Sequence, residues 1–183
     1  MASASPRRLD LLRQVGIEPG AIDPAELDET PGPAEAPRAY ALRMALEKLA
    51  IVAPRHPGKL ILAADSVVAV GRRILPKAET EKEARACLAL MSGRRHKVLG
   101  GVAAGVTGGR VRTRLVETAV RFRRLEASDI EAYIRSGEWQ GKAGGYAIQG
   151  RAAAFVSFIS GSYSNVVGLP LFETVRLLKA AEQ

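Results

Sequence analysis

The chain has 183 residues, 47% hydrophobic and only 5% aromatic, which fits one soluble α/β domain, residues 1–183, around an aliphatic core. A net charge of +8 points to an anionic partner, while a single cysteine, Cys87, excludes a disulfide framework and fits a cytoplasmic setting. No apolar run approaches the ~20 residues that span a bilayer and no signal peptide is legible, so no membrane partner is expected.

The first element is a helix over about Pro6–Val15. Ser5 suits the N-cap, Pro6 the first helical position, and Gly16 the stop. Leu9, Leu12 and Val15 give it an apolar face. Arg7 and Arg8 sit in the first turn, where the helix dipole favours acids. That conflict marks either a phosphate site or a capped surface helix with two solvated arginines. Only Met1 and Ala2 precede Ser3, so the strand that usually leads into a phosphate-binding helix is expected to be very short or to lie upstream.

Ile17 to Pro37 is rich in proline, glycine and acids and contains no lysine or arginine, which predicts a short strand and a loop. A second helix starts at Pro37 and ends before Pro54. Lys59–Val70 is the clearest strand, a nearly continuous apolar run interrupted by Asp65-Ser66. Gly71-Arg72-Arg73 turns it back through Ile74 and Leu75. Thr80 and Glu83 form a capping box for a third helix with Ala84, Cys87, Leu88 and Met91 on its apolar stripe. Two strands, Lys97–Thr107 and Arg112–Phe122, flank Gly108-Gly109. Ser128 with Glu131 opens a fourth helix ending at Gly137, Ala152–Ile159 forms a strand, and a last helix from about Pro170 buries Leu171, Val175 and Leu178. The pattern predicts an α/β fold, a mixed central sheet flanked by helices.

The candidate chemistry starts at Asp65. A carboxylate inside a buried apolar strand is costly unless it is paired or has a chemical role. It could act as general base for a water, as ligand for a hard cation, or as both. Lys48 and Lys77 gain meaning only as a set with Arg7 and Arg8, since a polyphosphate needs several convergent cations. Glu29, closing the acidic run Glu26-Leu27-Asp28-Glu29, is a candidate magnesium ligand or a solvated charge. In the loop Lys142–Gly150, three glycines permit close backbone approach. The Gln149 amide offers a donor and an acceptor that suit a pyrimidine edge, or else marks a turn. His96 is expected to be structural. There is no P-loop, zinc cluster or Ser-His-Asp spacing.

Together these stretches resemble the Maf family of nucleoside triphosphate pyrophosphatases. The resemblance runs through Ser3-Ala4-Ser5-Pro6-Arg7-Arg8, Asp28-Glu29, Glu47-Lys48, Ala64-Asp65-Ser66, Lys77, Ser92-Gly93-Arg94, Lys142–Gly150 and Gly161 to Leu171. It implies a two-lobed α/β fold, like that of inosine triphosphatases, with the site in the cleft, and a homodimer as partner state. It also implies hydrolysis of a triphosphate to monophosphate and pyrophosphate with a divalent metal, magnesium or manganese. By this resemblance Asp65 is the proton acceptor; as carboxylates, Asp65 and Glu29 are the expected ligands of the metal. Arg7, Ser66 and Gln149 match positions that go with substrate choice, and Ser3, Arg8, Lys48 and Lys77 are the phosphate-binding set. Arginine with Gly-Tyr-x-Ile-Gln-Gly looks like the branch acting on dTTP and UTP. Ser66 stands where threonine is commoner, and Ala78 where proline is usual. The family's link to septum formation, with the basic run from Arg94 to Arg124, leaves a nucleic-acid-binding or cell-division regulatory protein as the alternative. Low aromatic content and the acidic loop weigh against a nucleic-acid partner.

Overall fold

A computed structural model describes residues 1–181. The chain runs α1 (Pro6–Gln14), α2 (Pro37–Val52), β1 (Leu60–Val70), β2 (Arg73–Leu75), β3 (Lys77–Ala78), α3 (Glu81–Met91), β4 (Arg95–Val106), β5 (Arg112–Phe122), α4 (Ala127–Arg135), β6 (Lys142–Ala143), β7 (Val156–Ser160), α5 (Tyr163–Val167) and α6 (Leu171–Ala181). A central sheet flanked by helices is present as expected, in the order β2-β1-β4-β5-β7, but among the described residues it is antiparallel at every pairing and not mixed. A separate two-stranded sheet joins β3 to β6.

Alternation along β1 divides its side chains between two faces. Ile61, Ala63, Val67 and Ala69 pack toward α2, with Ala45, Leu49, Tyr40 and Met44. Leu62 and Ala64 face Leu11 and Leu12 of α1 and Leu177 of α6. Farther along, Val68 joins Val98, Val120 and Phe122 in a core shared with α3, α4 and the glycine-rich loop. Two packed regions thus meet along one sheet, and a cleft opens between α1, α2 and the β3–β6 pair.

Several local expectations are corrected. Ser5 occupies the N-cap of α1, but its hydroxyl makes no capping bond; only its carbonyl accepts, from the Arg8 and Leu9 amides. On the apolar face it is Leu11 and Leu12 that are buried, while Val15 is exposed. Residues 17–36 form no strand or helix; without strand-forming alternation, this stretch is held by tertiary contacts instead. The strand expected over Lys59–Val70 is borne out, pairing unbroken with β4 through Asp65 and Ser66 because the polarity of two side chains leaves the backbone ladder intact. Helix α4 is capped by Glu126 with Asp129, one box upstream of Ser128 and Glu131. Arg151–Phe155 is a 3-10 turn and only Val156–Ser160 is strand. In α6 the fully buried positions are Thr174 and Leu177, because the helix turns a different stripe to the sheet. Met1 and Ala2 lie beside β1, the Ala2 amide donating to Leu62 O at 2.8 Å.

Candidate active site

The chemistry-bearing residues meet where β1 has no strand neighbour on one side. Its antiparallel partner β2 begins only at Val68, leaving Asp65 and Ser66 on an open edge. As consecutive strand residues they leave opposite faces of the sheet. Asp65 faces α2; Ser66 faces α1 and the end of α5.

Across the ladder from Asp65 and Ser66 stand Gly101 and Gly100. A Cβ on Gly101 would lie 2.0 Å from Ala41 O of α2, and one on Gly100 would lie 1.9 Å from Asn165 Oδ1 of α5. The two glycines therefore let a helix approach each face beside the site. Close seating of α2 delivers Lys48, two turns beyond Ala41, to Asp65. On the other face, Asn165 Nδ2 donates to Val98 O, Val116 O and Thr118 Oγ1, fixing α5 and the following Gly168. Reading the sequence alone does not single out these positions. The Gly-Gly pair opposite the strand's only polar residues is the signal that could have found them.

Lys48 is buried, 6% exposed, not the solvated surface charge its helix position suggests. Its Nζ donates to Asp65 Oδ1 at 2.6 Å and contacts Glu29 Oε1 at 2.7 Å. Glu29 reaches onward to Lys77 Nζ through Oε2. The result is a chain of alternating charge, Asp65–Lys48–Glu29–Lys77, along one wall of the cleft. Burial alone would raise the Glu29 carboxyl, but bonds from Lys48 and Lys77 outweigh it and hold it at about 2. Among the described residues no protein group bonds Asp65 Oδ2.

The neighbouring arginines have separate surroundings. Arg8 donates from Nε to Gly168 O at 2.9 Å, from Nη1 to Ala64 O at 2.7 Å and Ser3 Oγ at 3.0 Å, and from Nη2 to Ser66 Oγ at 3.1 Å. It ties the N-terminal turn to β1 and to the end of α5. Arg7 lines the cleft with no hydrogen bond or acidic partner among the described residues. Burial, then the charge of Arg8, lowers its pKa; burial, then Arg7, lowers that of Lys142 on the opposite wall.

The cleft has a volume of about 490 Å³ and is lined by Ser3, Arg7, Arg8, Glu29, Lys48, Asp65, Ser66, Lys77 and Lys142 among others. Five cations against two carboxylates make it an anion site. A larger cavity of about 760 Å³ lies at the other end of β1, walled by Leu12, Val15, Ile17, Leu60, Leu62 and Val175, with no comparable convergence of charge.

Gln149 stands apart. It is exposed in a turn closed by the Gly150 amide on Ala147 O, and it is not on the cleft wall. The loop's glycines approach the protein itself: Gly144 lies against Val68, Gly145 against Ala84, and Gly150 against Glu138. Within the same loop Tyr146 bonds His96 Nε2 at 2.9 Å in a buried aromatic cluster, so His96 is structural, as expected.

Glu29 and Asp65 approach one point, the Lys48 ammonium, from two sides. A hard divalent ion that keeps several waters is held by one or two carboxylates plus substrate phosphates; here Lys48 and Lys77 occupy both Glu29 oxygens and Asp65 Oδ1, which leaves Asp65 Oδ2 as the one oxygen of the pair without a protein partner among the described residues. Among the described residues there is no cluster of three or more His, Cys, Asp or Glu, so remaining ligands would come from substrate and water. No helix among the described residues is long and apolar enough to cross a membrane.

The family described as Maf-like protein matches residues 1–181. The dTTP/UTP pyrophosphatase of Caulobacter vibrioides is 61% identical over 178 residues, covering 97% of this chain and 92% of that protein. That of Rhodospirillum rubrum is also 61% identical, covering 97% and 85%. That of Novosphingobium aromaticivorans is 56% identical over 181 residues, covering 99% and 90%.

Proposed function

The chain belongs to the Maf-like family, and we propose that it is a pyrophosphatase that hydrolyses dTTP and UTP to the monophosphate and pyrophosphate. The observation that carries this reading is the cleft in which five cations line the walls with two carboxylates, one of which, Asp65, has an oxygen to spare.

Lys48 holds Asp65 Oδ1 and fixes the carboxylate's orientation, leaving Oδ2 to take a proton from water. The water oxygen bonds to the α-phosphorus, the bond to the α–β bridging oxygen breaks, and pyrophosphate leaves with that oxygen. Arg7, Lys77 and Lys142 neutralise the triphosphate, so the residues act chiefly by positioning and electrostatics. Arg8 works indirectly, by fixing Ser3, Ser66 and the Gly168 carbonyl around the bound ligand. Asp65, joined by Glu29 when substrate phosphates draw Lys48 and Lys77 away from it, would hold the divalent ion, magnesium or manganese, which would draw charge from phosphate oxygens. Arg7 and Ser66 stand where they can contact the nucleotide. For Gln149 the reading is that it joins them when substrate is bound. A cytoplasmic homodimer is the proposed setting.

The test is pyrophosphate release from a panel of ribo- and deoxynucleoside triphosphates with magnesium. The expected outcome is selective turnover of dTTP and UTP by the parent. Asp65→Asn keeps an acceptor for Lys48 and is expected to fold, yet lose at least ~10²-fold in kcat, the lower range for a general base. Near-parental turnover by Asp65→Asn would overturn the assignment. No release from any triphosphate, with salt-sensitive oligonucleotide binding, would favour a nucleic-acid partner.

A further inference from the structure

The acidic segment before α2 has no regular structure, yet its Glu29 carboxylate stands between two ammonium groups on the cleft wall. A segment without a backbone ladder cannot hold a side chain there unless other groups fix it. The fixing contacts come from two residues one turn apart on α2. Tyr40 is buried, and its hydroxyl donates to the backbone carbonyl of Glu29 itself at 2.7 Å. Arg43 Nη2 donates to the carbonyl of the next residue, Thr30, at 3.3 Å. The same guanidinium grips Glu35 through Nε at 2.8 Å and Nη2 at 2.7 Å, and Glu35 in turn accepts the Gly32 amide at 2.9 Å. Arg43 also lies over the Tyr40 ring, 5.3 Å from its centroid, so the two side chains brace each other.

We infer that Tyr40 and Arg43 are positioning residues that clamp the acidic segment to α2 and thereby set the Glu29 carboxylate between Lys48 and Lys77. The helix that carries Lys48 also carries the clamp, so the lysine and its carboxylate partner are registered by one rigid element. Burial, and the charges of Asp65 and Glu29, push the Tyr40 phenol up, so it remains a protonated donor throughout the working range. The inference rests on the proposed reading that Glu29 works in the triphosphate site.

The test compares Tyr40→Phe, which removes the hydroxyl and keeps the ring, with Glu29→Gln and with the double variant. Measured are kcat and KM for dTTP, calorimetric binding of α,β-imido-dUTP, and the thermal midpoint. Tyr40→Phe is expected to lose about tenfold in kcat/KM, the size of effect a small misplacement produces. It is expected to cost nothing further once Glu29 is Gln, because it acts through that carboxylate. Arg43→Gln probes the same clamp independently and carries the test if Tyr40→Phe does not fold. Equal losses in the parental and Glu29→Gln backgrounds would show a general structural role and overturn the inference. So would a Tyr40→Phe variant at parental kcat/KM while Glu29→Gln is impaired. Parental activity and binding in Glu29→Gln would instead remove the reading on which the inference stands.

Discussion

Arg7 and Arg8 share a motif, a helical turn and a charge, but they act differently. The guanidinium of Arg8 is committed to Ala64, Gly168, Ser3 and Ser66, whereas Arg7 faces the cleft without a protein partner among the described residues. Arg8→Ala would remove a donor from the carbonyls of Ala64 and Gly168, on different elements, the latter keeping only Ser66 Oγ, and is expected to cost about 2–3 kcal/mol of stability. Arg7→Ala is expected to stay within ~0.5 kcal/mol of the parent in stability while raising KM for dTTP. Urea unfolding beside steady-state kinetics separates the two; a matched loss of stability in both variants would refute the division. Residue type and spacing group both arginines as phosphate-facing cations with Lys48 and Lys77, because adjacency on a helix does not reveal which carbonyls lie within reach. Lys48 illustrates the same point: among apolar neighbours on α2 it looks solvated, and only the seating of that helix buries it between Asp65 and Glu29.

At the scale of elements, the site depends on how closely α2 and α5 sit on β1 and β4. Gly101 and Gly100 permit that contact on opposite faces, directly across from Asp65 and Ser66. In Gly101→Ala the new methyl would meet the Ala41 carbonyl, a backbone atom that cannot swing away. The expected cost is about 1–3 kcal/mol, from overpacking that pushes α2 off the sheet. Because α2 carries Lys48, kcat for dTTP should fall as well, measured under conditions where the variant remains folded. A fully active, equally stable Gly101→Ala protein would show that the close approach is dispensable. Periodicity and turn signals locate α2, β1, α3, β4 and β5 within a few residues, since their ends carry proline, glycine or a capping box. They fail for the short strand expected after Gly16, where the chain is irregular from the start, and for 152–155, where an apolar run that reads as strand forms a 3-10 turn.

At the scale of the molecule, one buried group links the second packed region to pH. His96 lies in the aromatic core with Phe122 and Tyr146, and burial pushes its imidazole down to about 4 from the usual 6.5. Between those values the unfolded chain binds a proton that the folded chain refuses, so stability is complete above about 6.5 and falls as pH drops toward 4. From about pH 7 to about pH 5 the loss is expected to be about 2 kcal/mol, measured by urea unfolding. His96→Asn should remove that pH-dependent component; an unchanged pH dependence would exclude His96 as its source. The sequence by itself determined the α/β class, most element boundaries and which residue types could handle a triphosphate, because period, caps and charge are local properties of a chain. Tertiary structure alone decided that the strand edge is open at Asp65 and Ser66, that Lys48 is buried against Asp65, and that Arg8 braces while Arg7 faces the cleft. Those outcomes depend on the distance between helices and sheet, and that distance is set by glycines far along the chain whose meaning appears only when their partners are in place.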